Sequence, residues 1–270
     1  MLLLAVDTAT PAVTAALHDG TSVVAESSRT DARRHGELLL PTVDHVLAEA
    51  GLKLDAVTGI VVGVGPGPYT GLRVGLVTAA TFGSALGVPV YGLCTLDGLA
   101  YASGLSGPFV VATDARRKEV YWARYDGFRT RLGEPAVDRP ADIAEQVAGL
   151  PAVGAGALLY PDTFLDARAP EHVPAGALAA LAAEKLARGS GADGNGAGAD
   201  GNGADGACAE GSSGGGIRGE GMHVDGSAGG GAGIETGDMV IAEGFLPVTP
   251  LYLRRPDAQV PKNYKVVTPQ

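Results

Sequence analysis

The residues that invite a chemical role gather first in a glycine-proline run, Gly65-Pro66-Gly67-Pro68-Tyr69-Thr70-Gly71-Leu72-Arg73. Glycine-rich turns ahead of a helix cradle phosphates through their N–H groups. This run lacks the Gly-Lys-Ser/Thr ending of a phosphate loop, because Gly71 leads into Leu72-Arg73. Pro66 and Pro68 have no N–H to offer. The six-residue glycine spacing of a dinucleotide turn also fails, ending on Pro68 from Gly63 and on Thr70 from Gly65. The run reads as a tight turn that delivers a helix, with Arg73 its one side chain able to meet an anion. His18, His35, His45, His172 and His223 show no metal-ligand spacing. Cys94 lies among apolar residues, far from Cys208, and reads as core.

Two aspartates end apolar strands. Asp7 is followed by Thr8-Ala9-Thr10-Pro11, and Asp114 by Ala115-Arg116-Arg117-Lys118. A carboxylate placed so resembles the phosphate hairpins of the actin, sugar-kinase and Hsp70-like ATPases. There the aspartate serves the metal, and glycines bring backbone amides to the phosphates. Neither turn here holds such a glycine. The turn 153–157, with Gly154 and Gly156, is similar to an adenosine-binding turn. Asp7, Thr8, Asp114, Gly154 and Gly156 therefore outline a vestigial nucleotide site. The basic runs Arg33-Arg34-His35 and Arg116-Arg117-Lys118 read as solvated surface, or as contacts to RNA or an acidic partner.

These residues need a frame. Apolar runs at 2–6, 13–17, 58–64 and 109–113 read as buried strands. Asp19-Gly20 marks a hairpin into a strand at 21–26, and 119–125 alternates as a half-buried strand does. Helices are expected within 36–50, over 70–86, and at 141–148 and 177–186. The central stretch 57–100 reads as strand, turn, helix, strand, helix. Both halves begin with strand, aspartate turn and strand, a weak internal repeat.

Helix 36–50 carries an apolar stripe, Leu39, Val43, Val46, Leu47 and Ala50, with Leu38 and Leu40 as extra apolar residues beside it. The extras imply either a wide core face or a second face against a partner. In helix 70–86, Gly71, Gly75, Ala79 and Gly83 recur at four-residue spacing and form a bare ridge. Glycine inside a helix costs about 1 kcal/mol relative to alanine. Three on one face imply close approach by another backbone.

Twenty of the 49 residues in 189–237 are glycine, with seven acids against Arg218. That segment holds −6 of the chain's formal net charge of −10, leaving −4 for the rest. So mild a balance argues against autonomous nucleic-acid binding through a basic surface. With almost no aliphatic content, the segment is expected to be a disordered insert. No apolar run is long enough to span a bilayer, and the start lacks a basic leader, so a cytoplasmic protein is expected.

Five segments together resemble the TsaB family of bacterial tRNA threonylcarbamoyladenosine biosynthesis proteins. They are Asp7-Thr8-Ala9-Thr10, the run from Arg34 to Pro41, the run from Val62 to Gly75, the run from Asp114 to Tyr121, and Pro250-Leu251-Tyr252-Leu253-Arg254. The likeness covers the chain apart from the glycine-rich insert. It implies an α/β protein of the actin-like ATPase (ASKHA, ribonuclease H-like) fold, with two α/β subdomains and a degenerate nucleotide site. The subdomains would be 1–104, carrying the interface helices, and 105–188 with 238–270, the insert occupying 189–237.

The resemblance further implies a non-catalytic subunit of the complex that installs N6-threonylcarbamoyladenosine at position 37 of ANN-decoding tRNAs. Such a subunit pairs with the catalytic paralogue TsaD as a heterodimer. TsaE docks on that pair, TsaC supplies the threonylcarbamoyl-adenylate, and tRNA is met only through the complex. TsaD carries an HxxxH metal motif where this chain reads Thr95-Leu96-Asp97-Gly98-Leu99. No metal or cofactor is therefore expected on this chain, ATP and metal being used by partner subunits. In the family the two helices build the dimer interface. That points to Leu39, Val43, Val46, Leu47, Gly71, Leu72, Gly75, Ala79, Phe82 and Gly83. A homodimer of the isolated chain stays open. The rival reading is an ATPase using Asp7 and Asp114.

Overall fold

Two five-stranded sheets, each traced by the chain in the same way, carry the molecule. The computed structural model describes residues 1–192 and 244–253. The first sheet is built from β1 (Leu3–Asp7), β2 (Ala12–His18), β3 (Val23–Thr30), β4 (Gly59–Gly63) and β5 (Val90–Leu93), ordered β3-β2-β1-β4-β5. The second uses β6 (Pro108–Asp114), β7 (Val120–Asp126), β8 (Arg131–Asp138), β9 (Pro151–Val153) and β10 (Asp166–Arg168), ordered β8-β7-β6-β9-β10. In each half the first three strands are antiparallel and the last two join in parallel. The duplicated order bears out the repeat read from the two aspartate turns, and the architecture is the actin-like one. Asp7 and Asp114 occupy equivalent ends of β1 and β6, paired with Thr14 and Val120.

Helices complete the crossovers. In the first half, α1 (His35–Glu49) and α2 (Tyr69–Leu86) precede β4 and β5, and α3 (Thr95–Ser103) follows β5. In the second, α4 (Pro140–Val147), α5 (Ala155–Leu159) and α6 (Ala175–Ala192) take the matching places. Strands β1 and β4 are buried throughout, which is why they read as unbroken apolar runs. Alternate residues serve two cores: Leu4 and Val6 meet α1 and α2, while Leu3 and Ala5 face α3, α6 and the second sheet. A third core joins β6 and β9 to α4 and α5.

Two strands lie outside the sequence reading. β8 mixes exposed and part-buried residues with one buried residue, Pro135, and carries Gly133; β10 has three residues. The C-terminal half also reaches further into the first half than expected. Helix α6 packs on β1, β2 and β3, and Glu26 Oε1 accepts from Gly176 N at 2.8 Å. Residues 244–253, assigned from sequence to the second subdomain, lie instead at the first sheet's edge. There Leu246 N donates to Gly92 O at 2.9 Å and Leu251 N to Val64 O at 2.8 Å. Gly92 permits this, since a Cβ there would lie 2.6 Å from Leu246 O. Most of the insert expected at 189–237 lies outside the described residues, although α6 runs on to Ala192. Among the described residues no helix is long and apolar enough to cross a membrane.

Candidate functional site

Asp7 is completely buried at the end of β1. Its Oδ1 accepts from Ala9 N at 2.9 Å and its Oδ2 from the Thr95 hydroxyl at 2.7 Å. Gly63 backs directly onto it: a Cβ there would fall 1.7 Å from Oδ2. Burial pushes the Asp7 carboxyl up to about 6, against the opposing effect of those two hydrogen bonds. Both oxygens are thus committed inside the fold. Thr8 is committed too, its hydroxyl donating to Gly71 O at 2.7 Å and accepting from Gly75 N at 3.0 Å.

Asp114 is held by its own turn. Oδ1 accepts from Arg116 N at 2.7 Å, and Oδ2 lies 3.3 Å from the Arg116 guanidinium. Arg116, Arg117 and Lys118 follow one another with φ of 63°, 55° and 62°, left-handed conformations rare for residues with a Cβ. Gly154 and Gly156 are occupied by packing: side chains there would meet the Ala112 backbone at 2.4 and 2.9 Å. Their bareness lets α5 lie against β6. A cavity of about 390 Å³ opens between the two hairpin ends, lined by Thr10, Arg33, His35, Pro68, Asp114 and Arg116 among others. Of the five residues outlined for a nucleotide, only Asp114 lines it, beside the arginine that compensates it. No group of three or more His, Cys, Asp or Glu side chains comes together among the described residues.

The helix faces named as a partner interface require a correction. Leu39, Val43, Val46, Leu47, Gly71, Leu72, Gly75, Ala79 and Gly83 are all buried in this chain's own core, and Phe82 partly so. The glycine ridge does meet close neighbours, but they are internal. Side chains at Gly71, Gly75 and Gly83 would strike Thr8 O at 2.4 Å, Thr8 Oγ1 at 2.5 Å and Val90 Cγ2 at 2.3 Å. The ridge seats α2 on its own sheet.

The free faces lie opposite. On α1, Leu40 is 50% exposed, next to exposed Pro41; on α2, Val77 is 61% and Tyr69 43% exposed. Leu38, its companion in the sequence reading, is partly buried against the first-sheet core. Tyr69, Arg73 and Val77 follow at four-residue spacing, two residues off the glycine ridge. At 100° per residue that is about 200° around the helix. That spacing is legible in the sequence, beside the more conspicuous glycine ridge. Tyr69 is further held between rings and charge, with Tyr252 stacked at 5.1 Å and the Arg73 guanidinium 4.2 Å from its centroid. Cys94 is core as read, its thiol pushed up to about 12 mainly by burial.

Comparison with known proteins places these features among relatives. The family described as TsaD, tRNA N6-adenosine threonylcarbamoyltransferase, matches residues 23–161. An uncharacterized Mycobacterium tuberculosis protein is 52% identical over 157 residues, covering 55% of this chain and 72% of that one. The tRNA threonylcarbamoyladenosine biosynthesis protein TsaB of Escherichia coli is 33% identical over 174 residues, covering 60% of this chain and 74% of that one. Among solved structures, YeaZ from Pseudomonas aeruginosa matches with a TM-score of 0.61 and 32% identity, over 70% of this chain and 93% of that one.

Proposed function

This chain belongs to the TsaB family, and from that premise we propose that it is a non-catalytic subunit in the biosynthesis of threonylcarbamoyladenosine on tRNA. Its work would be to pair with a TsaD subunit and hold it in a competent form. ATP, metal and the threonylcarbamoyl donor are then handled by partner subunits in the cytoplasm, with TsaE docking on the pair and tRNA meeting the assembly.

The observation that carries this reading is the outward surface of the contacting helices α1 and α2, where Leu40, Tyr69 and Val77 are exposed. Exposed apolar residues with a tyrosine and an arginine on the outer faces of two packed helices suit a protein interface. The interface is therefore reassigned from the inner faces of these helices to their outer ones. Committed oxygens on Asp7 weigh against its service to a metal-bound nucleotide. The test is co-elution of the purified chain with its TsaD, with and without Val77→Glu.

A second reading, an ATP-binding enzyme, draws on one feature, the cavity at Asp114. Saturable ATP binding and turnover by the isolated chain, lost in Asp114→Asn, would establish it in place of the first.

A further inference from the structure

Away from the α1/α2 face, a cluster of charged side chains lines a second cavity. Asp97 on α3 faces the second sheet, and its Oδ1 accepts from the Tyr125 hydroxyl on β7 and from Arg131 Nη1 on β8, each at 2.8 Å. Among the described residues nothing donates to its Oδ2. Arg131 spends Nε on Gly133 O at 3.1 Å, but its Nη2 reaches only Glu134 Oε2, at 3.9 Å. Lys185 on α6 lines the same space; it makes no close ion pair among the described residues, although its charge acts on the Asp97 carboxylate. Arg129, also in the lining, is committed to Glu184 by two hydrogen bonds. The cavity measures about 300 Å³, with Phe128 and Leu181 supplying apolar wall. That volume is at the lower end for small-molecule sites.

The charged groups of this lining are of both signs. Neither Asp97 Oδ2 nor Arg131 Nη2 is sealed from water among the described residues, so both can meet a ligand that enters the cavity. The Asp97 and Arg131 side chains keep only 26% and 19% exposure. Burial pushes the Asp97 carboxyl up even with Arg131 and Tyr125 opposing. A simple anion would satisfy Arg131 and Lys185 but face Asp97 and Glu134. A simple amine would satisfy the acids but face two cations. A small molecule carrying both charges satisfies both sets.

We propose that this cavity binds a free α-amino acid, its carboxylate on Arg131 Nη2 and Lys185 and its ammonium on Asp97 Oδ2 and Glu134. The planar arginine fork suits a carboxylate. The limited space restricts the ligand to small side chains, directed toward Phe128 and Leu181. The site stands apart from the partner face, so its failure would leave the proposed function untouched.

The experiment uses the full chain, with glycine, alanine and serine as probes and acetate and methylamine as single-charge controls. Binding is read by calorimetry and by thermal shift. The amino acids are expected to bind saturably with millimolar or tighter dissociation constants and to raise the melting temperature, while both controls leave it unchanged. Lys185→Met, on a helix surface, should retain the native circular dichroism and weaken binding about tenfold. Absence of amino-acid binding would overturn the proposal. Acetate binding as tight as glycine would do so too, as would unchanged affinity in Lys185→Met.

Discussion

The Thr8 hydroxyl sits between the carbonyl of Gly71 and the N–H of Gly75, at 2.7 and 3.0 Å. An α-helix ordinarily joins those two groups to each other, four residues apart. A side chain from the turn after β1 has thus entered the hydrogen-bond ladder of α2. Only bare positions allow that depth of approach.

Gly75→Leu is accordingly expected to disrupt the fold itself. Its Cβ alone would lie 2.5 Å from Thr8 Oγ1. Overpacking costs roughly 1–3 kcal/mol, and stranding buried polar groups costs a similar amount. Urea unfolding should show a large fall in midpoint, or the protein should be insoluble. A variant with native melting that merely fails to bind TsaD would refute the inward placement of the ridge.

Val77→Glu, on the opposite face of the same helix, should do the reverse. Val77 is 61% exposed, so melting should change little. Burying an unpaired carboxylate at an interface should lower affinity for TsaD at least tenfold, which needs only about 1.4 kcal/mol. Leu40→Asp on α1 should behave alike. Undiminished co-elution in both variants would remove this face from the interface.

Asp7→Asn should alter how stability depends on pH. The carboxyl titrates near 6 when folded and near its ordinary 3.8 when unfolded. The folded state therefore holds the proton more tightly. The stabilising contribution is complete below 3.8 and is lost as pH rises through about 6. Two units correspond to about 3 kcal/mol on the scale of 1.36 kcal/mol per unit. The variant should lose this component across the same window and be at least as stable at neutral pH. Parallel pH profiles for the two proteins, followed by denaturant unfolding, would show that Asp7 does not titrate in this way.

Gly92→Ala should loosen the C-terminal segment. The added carbon would lie 2.6 Å from Leu246 O and 2.9 Å from Val64 Cγ1. Amide hydrogen exchange at Leu246 and Leu251 should quicken, while β1 and β4 keep their protection. Unchanged exchange at both amides would mean that the edge pairing absorbs the methyl group.

Much of the frame was determined by sequence alone, because burial on both faces leaves a local trace. Strands β1, β4 and β6 are apolar runs ended by turns, and the two aspartate turns announced the duplicated path. β8 left no such trace, since its residues show no regular alternation of burial and Gly133 and Pro135 interrupt it. The bare ridge of α2 was equally legible, as was its need for a close neighbour. The identity of that neighbour was not, because Thr8 lies 63 residues from Gly71 and nothing local links them. Likewise Asp7 looked available for chemistry until Thr95, 88 residues away, and Gly63 closed around it. Periodicity shows that a helix has two faces. Which face turns inward is decided by what the folded chain brings across from it.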